Sequence, residues 1–240
     1  MSLVRCAWAG SQKYGVLTWS GDIYSSFRAM QEQLQAGLNM GIAGIPWWTS
    51  DIGGFLGGDI SDPAFRELLV RWFAWGAFCP VFRMHGERSP WHEREQEFRN
   101  GVRQLTSGQD NEVWSFGEDN YEILKKYLFI RENLRPYIRT CMQQASESGS
   151  PVMRPLFYDF PEDPASWEVE DSYMFGPDLL VSPVMEAGAD SRTIYLPRGA
   201  QWTDAYTHKV YEGGQTVTVP APIDVIPVMV RDGKAFRIYE

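Results

Sequence analysis

The chain has 240 residues, 31 of them acidic and 22 basic, so its formal net charge is −9. A surface of this sign repels nucleic acid and anionic lipid headgroups, because proteins bind both mainly through Lys and Arg. The 44% of hydrophobic and 22% of charged residues are globular proportions that exclude disorder and collagen-like repeats. We therefore expect neither a nucleic acid nor a membrane as a partner.

Aromatic residues make up 14% of the chain, with 10 Trp, 11 Tyr and 13 Phe. This surplus fits either a thick aromatic core or apolar platforms for sugar rings, and composition alone favours the core. The cysteines, Cys6, Cys79 and Cys141, form no C-x-x-C pair, so we expect free, buried thiols rather than disulfides or zinc ligands.

The longest apolar stretch, residues 72–82, is broken by Gly76 and Pro80. It is shorter than the roughly 18–20 residues that a bilayer-spanning helix needs. The first ten residues contain no charged segment followed by an apolar one, so we expect no signal peptide, which favours a cytoplasmic location.

Residues 14–147 alternate short apolar runs with longer stretches of helical period, the pattern of βα units around a parallel sheet. The apolar runs predict buried strands at residues 14–19, 41–48 and 80–84. The polar segment 86–119 is too long for a simple connection and is typical of a loop that carries function or covers a site.

Capping residues indicate where the helices begin. Ser25 or Ser26 caps the first helix, and Asp62 caps the second, with Pro63 at the first helical position and an end near Phe78.

A third helix is predicted over residues 121–148, with Asn120 as its cap and a kink at Pro136.

Beyond this helix, short runs rich in Val, Tyr, Ile and Thr alternate with Gly, Pro and Asp, which predicts an antiparallel β domain. The runs are VMRPLFYDF, SYMFGPDLLVSPV, RTIYLP, TVTVP and DVIPVMVRDG.

A polar side chain follows each predicted strand of the first half: Asp22, Asp51 and His85. The carboxyl ends of parallel strands share one edge of the sheet, so these side chains are expected to converge on a pocket. Each also has a structural interpretation. Asp22 would cap the next helix, Asp51 would brace a glycine turn, and His85 would be a buried imidazole with satisfied hydrogen bonds.

Other chemistries find less support. His85 and His92 are separated by six residues, which matches no usual metal-ligand spacing, so a metal site is disfavoured. No G-x-S-x-G elbow, Walker loop or dinucleotide fingerprint occurs, which argues against acyl transfer, NTP hydrolysis and Rossmann redox chemistry.

Three segments combine aromatic residues, glycines and carboxylates in a distinctive order. They are GSQKYGVLTWSGD (residues 10–22), GIPWWTSDIGGF (residues 44–55) and FRMHGERSPW (residues 82–91). Their order, spacing and apolar context resemble glycoside hydrolase family 31, the retaining α-glucosidases and α-xylosidases. MFGPDLLVSPV, residues 174–184, is similar to the β-sandwich domain behind that family's barrel, so the resemblance covers nearly the whole chain.

The resemblance implies roles for individual residues. Asp22 matches the general acid/base, Arg5 the arginine that binds the sugar beside that acid, and His85 the histidine that holds sugar hydroxyls. Asp51 matches a buried carboxylate that supports the site. Aromatic or apolar positions of the binding wall are matched by Trp19, Trp48 and Phe55.

One departure from the family is large. Its nucleophile is an aspartate in a D-x-N-E or D-G-G-E type motif, and neither occurs in this sequence. Retaining hydrolysis needs two carboxyls about 5–5.5 Å apart, and this chain supplies only the acid/base. A closed (β/α)8 barrel also takes roughly 200–250 residues, so only its last units fit here.

We therefore predict an α/β plus all-β fold: part of a (β/α)8 barrel, its last βα units, over residues 1–149, followed by an antiparallel β-sandwich domain over residues 150–240. The predicted function is part of a retaining α-glycosidase that acts on terminal α-xylosyl or α-glucosyl residues, with no cofactor and a carbohydrate as partner. The alternative is a non-catalytic carbohydrate-binding or structural fragment. We also expect self-association through the truncated barrel.

Overall fold

The computed structural model describes residues 2–90, 98–99, 102–103 and 110–239, with only the backbone for the two short middle ranges. Much of the predicted loop at 86–119, including Trp91 and His92, lies outside the described residues. Among the described residues, no helix is both long and apolar enough to cross a lipid bilayer.

The described part of the N-terminal half contains short strands. They are β1 (Ser2–Val4), β2 (Val16–Trp19), β3 (Trp48–Thr49), β4 (Gly58–Asp59), β5 (Arg88–Ser89), β6 (Phe98–Arg99) and β7 (Val102–Arg103). Strands β1, β2 and β3 form a parallel sheet in that order, which confirms the predicted βα organisation. The described strands form no closed barrel, as expected of a partial one.

The two helices that follow β2 and β3 begin where their capping residues predict. Helix α1 (Phe27–Ile42) starts after Ser26, whose hydroxyl accepts from the Ala29 N–H at 3.1 Å. Helix α2 (Pro63–Gly76) starts after Asp62, whose carboxylate accepts from the Ala64 N–H at 2.9 Å. A side-chain cap replaces a missing intrahelical acceptor, which is why these starts are visible in the sequence.

The strands differ from their predicted bounds. Strand β2 begins only at Val16, because Ser11–Tyr14 forms a 3-10 turn. The apolar run at 41–48 contributes only its last residue to a strand, because α1 extends to Ile42 and Gly44 then turns with φ 81°. Short apolar runs have the same appearance in a buried strand and in a buried helix end.

Residues 80–84, predicted as a third strand, form none. Instead, the Val81 N–H donates to the Trp48 carbonyl at 3.3 Å, and the Thr49 hydroxyl donates to the Val81 carbonyl at 3.1 Å. Pro80 supplies no N–H for a ladder. The segment therefore runs beside β3 without regular pairing.

The predicted helix at 121–148 is two helices, α3 (Glu118–Asn133) and α4 (Arg135–Ser148), with Leu134 between them. Pro136 lies in the first turn of α4 and has no backbone N–H to donate. The chain therefore forms two separate helices instead of one long helix with a kink. The predicted cap was wrong: Gly117 precedes α3, and the Asn120 amide donates to the Phe116 carbonyl at 2.9 Å.

The C-terminal half is built mostly of antiparallel strands, as predicted. They are β8 (Met153–Pro155), β9 (Tyr173–Phe175), β10 (Leu179–Val181), β11 (Ser191–Leu196), β12 (Gln201–Asp204), β13 (Val210–Glu212), β14 (Gln215–Pro220) and β15 (Val228–Arg231). Within the run VMRPLFYDF, the strand stops at Pro155 and a short helix follows, α5 (Leu156–Asp159). One sheet has the order β13-β12-β15-β10-β9-β8, and β11 pairs with β14 in a second sheet.

The six-stranded sheet is buried on both faces. On one face, Met174, Leu180 and Trp202 pack with residues of the β11–β14 pair, as in a β-sandwich. On the other face, Tyr173 and Phe175 join the core of the N-terminal half, and the Tyr173 hydroxyl donates to the Phe78 carbonyl at 2.7 Å. Alternation of side chains along each strand supplies both layers.

The two halves meet at the end of α4. Gly149 (φ 75°) ends that helix and donates its N–H to the Ala145 carbonyl at 3.1 Å. The division between residues 149 and 150 stays a prediction.

Cys79 and Cys141 are buried free thiols, whereas Cys6 is exposed, contrary to our expectation.

Candidate active site

The parallel sheet brings three chain segments to one edge. Arg5 follows β1, Asp22 lies three residues beyond β2, and Asp51 lies two residues beyond β3. Because the strands are parallel, these residues all lie at their carboxyl ends. The sequence analysis did not predict strand β1. The position of Arg5 at the end of a strand is therefore known only from the structure.

Arg5 and Asp22 are in direct contact. The Arg5 Nη2 lies 3.3 Å from both carboxylate oxygens of Asp22, and the two side chains are 67% and 43% exposed. An ion pair this open to solvent adds little to folding stability. Both groups are therefore accessible to a ligand at this edge.

Two guanidinium groups lie close to the Trp19 indole. The Arg5 Cζ is 5.5 Å from its ring centroid, and the Arg83 Cζ is 5.9 Å from it. Both separations are within the range of cation–π attraction. Arg83 in turn forms an ion pair with Asp51. Arg83 was not a predicted site residue, although it lies in the same segment as His85.

Asp51 is fully buried, so it contacts the site through Arg83 rather than through solvent. Burial raises the pKa of the Asp51 carboxyl, and the Arg83 guanidinium opposes this shift by charge attraction and hydrogen bonding. His85 also lowers that pKa and Asp22 raises it, which places both groups within electrostatic reach of Asp51. The Asp51 carbonyl accepts from the Gly54 N–H at 2.9 Å, so the residue also braces the glycine turn.

His85 and Phe55 form one rim of this edge. Their ring centroids are 5.4 Å apart, His85 is exposed, and Phe55 is half-buried. The Glu87 N–H donates to the Phe55 carbonyl at 2.8 Å, which ties the two segments together. The structure thus brings together Arg5, Trp19, Asp22, Asp51, Phe55 and His85.

Trp48 is the exception among the expected wall residues. It is 4% exposed, and a Cβ added at Gly37 of α1 would lie 2.7 Å from its indole. In the sheet, Trp48 is in register with Thr18, whereas Trp19 is in register with Thr49. Trp48 and Trp19 therefore lie on opposite faces, and Trp48 packs against the helix rather than lining the site.

Arg88 supports the site through hydrogen bonds to backbone carbonyls. It lies within the distinctive segment of residues 82–91, but no sequence pattern showed that its side chain is buried, so it was not predicted as a site residue. The side chain is fully buried and donates to the carbonyls of Ile52 at 2.9 Å and Gly54 at 2.8 Å. Its Nε donates to Asn111 Oδ1 at 2.9 Å. Burial lowers the pKa of Arg88 to about 10. Arg88 therefore holds the turn that carries Asp51 and Phe55.

Replacing Arg88 with Met is expected to destabilise the protein by about 3–5 kcal/mol, because each buried carbonyl left without a donor costs about 1–3 kcal/mol. Chemical denaturation of both proteins measures this difference. Arg28→Met is the control: Arg28 is 87% exposed and pairs with Glu32 of the same helix, α1, so its loss should cost about 0.3–0.5 kcal/mol. Similar losses for both variants would contradict a supporting role for Arg88.

In the part of the chain that the structure describes, no three His, Cys, Asp or Glu side chains cluster closely enough to hold a metal ion. The site consists of carboxylates, guanidinium groups, an imidazole and aromatic rings. Such groups bind hydroxyl-rich ligands through hydrogen bonds and ring faces.

A parallel-sheet edge with these groups, joined to two packed antiparallel sheets, is the architecture expected of part of a TIM barrel followed by a β-sandwich domain. The family model for the TIM-barrel domain of glycosyl hydrolases family 31 matches residues 1–141, and the model for the C-terminal domain of that family matches residues 149–236. The chain belongs to glycoside hydrolase family 31, which confirms the resemblance of its motifs.

Relatives and solved structures agree with this assignment. The crystal structure of a family 31 α-xylosidase from a soil metagenome, complexed with xylose, superposes with a TM-score of 0.93 at 58% identity and covers 97% of this chain and 34% of that one. The α-xylosidase of Saccharolobus solfataricus is 36% identical over 231 residues, covering 96% of this chain and 29% of the relative. Alpha-glucosidase 2 of Bacillus thermoamyloliquefaciens is 33% identical over 236 residues, 98% of this chain and 27% of the relative. The chain thus spans between about a quarter and a third of the length of these relatives.

Proposed function

We propose that this chain is part of a retaining α-glycosidase that releases terminal α-xylosyl or α-glucosyl residues, with Asp22 as the general acid/base. The observation that carries the proposal is the solvent-accessible pair of Asp22 and Arg5 beside the face of Trp19. A carboxyl in this position reaches a glycosidic oxygen, while the guanidinium binds a neighbouring hydroxyl and the indole limits the space for the ring.

In the first step, Asp22 donates its proton to the glycosidic oxygen while a second carboxylate attacks the anomeric carbon. In the second step, the Asp22 carboxylate takes a proton from the water that attacks the covalent intermediate. The Arg5 guanidinium lies close enough to interact with Asp22 in both steps. His85 supplies hydrogen bonds to sugar hydroxyls, and no cofactor takes part.

Asp51 is not suited to be the second carboxylate, because it is fully buried and paired with Arg83. The family's nucleophile motif is also missing from the sequence. We therefore infer that the nucleophile belongs to a part of the enzyme outside these 240 residues. The same observation favours, for the 240-residue chain alone, the alternative of carbohydrate binding without turnover.

The sugar is proposed to be xylose ahead of glucose. This preference is supported by the two α-xylosidases described above and by the segment RCAWAGSQ, residues 5–12, which resembles the α-xylosidase branch of the family. We expect the enzyme that contains this chain and a nucleophile to have a higher kcat/KM for p-nitrophenyl α-xyloside than for p-nitrophenyl α-glucoside. A ratio well below one would reverse the preference, and hydrolysis of neither glycoside would contradict the proposed function.

A further inference from the structure

A second candidate binding region lies between helix α1 and the C-terminal domain. It is an open cleft of about 660 Å³, here called the interdomain cleft, which is within the usual size range of small-molecule sites. Its polar lining includes Gln31, Gln35, Glu168, Glu170, Glu186 and Tyr195. None of these residues belongs to the Asp22 site, and α1 packs through Gly37 on the face of the sheet opposite Trp19.

The lining of the interdomain cleft is held in place by contacts between the two halves. The Gln31 amide donates to the Met185 carbonyl at 3.0 Å, and the Gln35 amide donates to Glu170 at 3.3 Å. These bonds fix the two amides one helical turn apart on α1. Each amide still offers a carbonyl oxygen to a ligand.

Trp167 does not line the cleft itself but directly precedes the lining residue Glu168, and it forms an exposed aromatic platform. Its ring is stacked on Phe157 with a centroid separation of 4.5 Å and an interplanar angle of 10°, and its Nε1 donates to the Pro161 carbonyl at 3.0 Å. The residue is nevertheless 55% exposed. Because Phe157 covers one face and the hydrogen bond fixes the ring, the other face is a rigid, flat apolar surface in water.

We propose that the Trp167 platform and the interdomain cleft form a second carbohydrate-binding site, separate from the Asp22 site, for a neutral polysaccharide chain. A flat apolar ring suits the C–H face of a pyranose, and the amides, carboxylates and hydroxyl that line the cleft suit the hydroxyl groups of further sugar units along the chain. Among the described lining residues, the carboxylates Glu168, Glu170, Asp171 and Glu186 outnumber the single guanidinium of Arg192. This charge repels uronic acids and phosphorylated sugars, which favours a neutral over an anionic polysaccharide.

Native affinity electrophoresis of the 240-residue chain in gels with soluble dextran or xyloglucan tests this proposal. We expect retardation by at least one of these neutral polymers and none by polygalacturonic acid. Trp167→Ala should raise the apparent Kd at least tenfold, and Trp167→Phe, which keeps a stacked ring, should lose less. Thermal melts of both variants show whether they remain folded.

Two control variants separate this site from other surfaces. Trp114→Ala removes a similarly exposed indole, 68% exposed, from the N-terminal half and should leave retardation unchanged. Trp19→Ala measures how much of the retardation comes from the Asp22 site, and Trp167→Ala should cause the same further loss in the Trp19→Ala background. The proposal is overturned if Trp167→Ala causes no further loss in that background, or if Trp114→Ala loses as much retardation as Trp167→Ala. A folded Trp167→Ala protein that binds like wild type, or no retardation by either neutral polymer, would also overturn it. Because the readout is binding away from Asp22, the result does not depend on glycosidase activity.

Discussion

Replacing Asp22 with Ala in the full-length enzyme is expected to lower kcat/KM for glycosides with poor leaving groups by about 10²–10⁴-fold, the usual contribution of general acid–base catalysis. Aryl glycosides with activated leaving groups should lose far less in the first step, because their departing oxygen needs no proton. Comparison of p-nitrophenyl and alkyl α-glycosides measures this difference.

Azide provides a second readout for the same variant. It needs no general base, so it should attack the covalent intermediate and release an α-glycosyl azide with net retention. Asp190→Ala, which removes an exposed carboxylate of the C-terminal domain, should behave like wild type. Equal losses on both substrate classes, with no azide product, would contradict Asp22 as the acid/base.

The 240-residue chain by itself is expected to self-associate and to hydrolyse no aryl α-glycoside. Among the described strands, β1 is an edge of the parallel sheet, and its Leu3 is 42% exposed. Further apolar surface lies in a groove of about 300 Å³ that includes Phe82, Trp114 and Leu128. Burial of apolar surface contributes roughly 25 cal/mol per Å², so several hundred Å² correspond to on the order of 10 kcal/mol. Open strand edges and apolar patches of this kind promote association.

Light scattering and an activity assay test this expectation together. Leu3→Lys places a charge on the β1 edge and should shift the chain toward monomer. Val210→Lys is the matched control, because Val210 is 50% exposed on the edge strand β13 of the C-terminal sheet. If only Val210→Lys disperses the chain, the association runs through the C-terminal sheet. A monodisperse wild-type monomer with enzyme-like turnover would show that we misinterpreted both the open barrel edge and the missing nucleophile.

Local signals predicted helix starts better than strands. The caps at Ser26 and Asp62 are confirmed, because a cap depends on residues within one helical turn. The strands at 41–48 and 80–84 are shorter than predicted or not formed, because an apolar run alone does not distinguish a strand from a buried helix end or an irregular segment. Strand β1 was not predicted either, because its three residues form a strand only through pairing with β2.

In the candidate site, too, the sequence identifies some residues and only the structure places the others. Asp22 is recognisable from motif and position, Arg5 from the motif alone, and the structure brings them together. Trp48 has the same apolar context as Trp19, and only the register of β2 and β3 shows that their side chains lie on opposite faces. A one-residue difference along a strand changes the face completely.

The amino-acid sequence by itself determined the family, the two-part organisation and Asp22 as the candidate acid/base, because these rest on residue types at short, fixed spacings. Only the tertiary structure decided that Arg83 joins Asp51 to Trp19, that Arg88 holds the glycine turn, and that Trp48 belongs to the core. These contacts join residues 11 to 64 positions apart, such as Trp19 with Arg83 and Gly37 with Trp48. Which partners meet at such separations depends on how the helices and sheets pack, and that packing leaves no periodic signal in the local sequence.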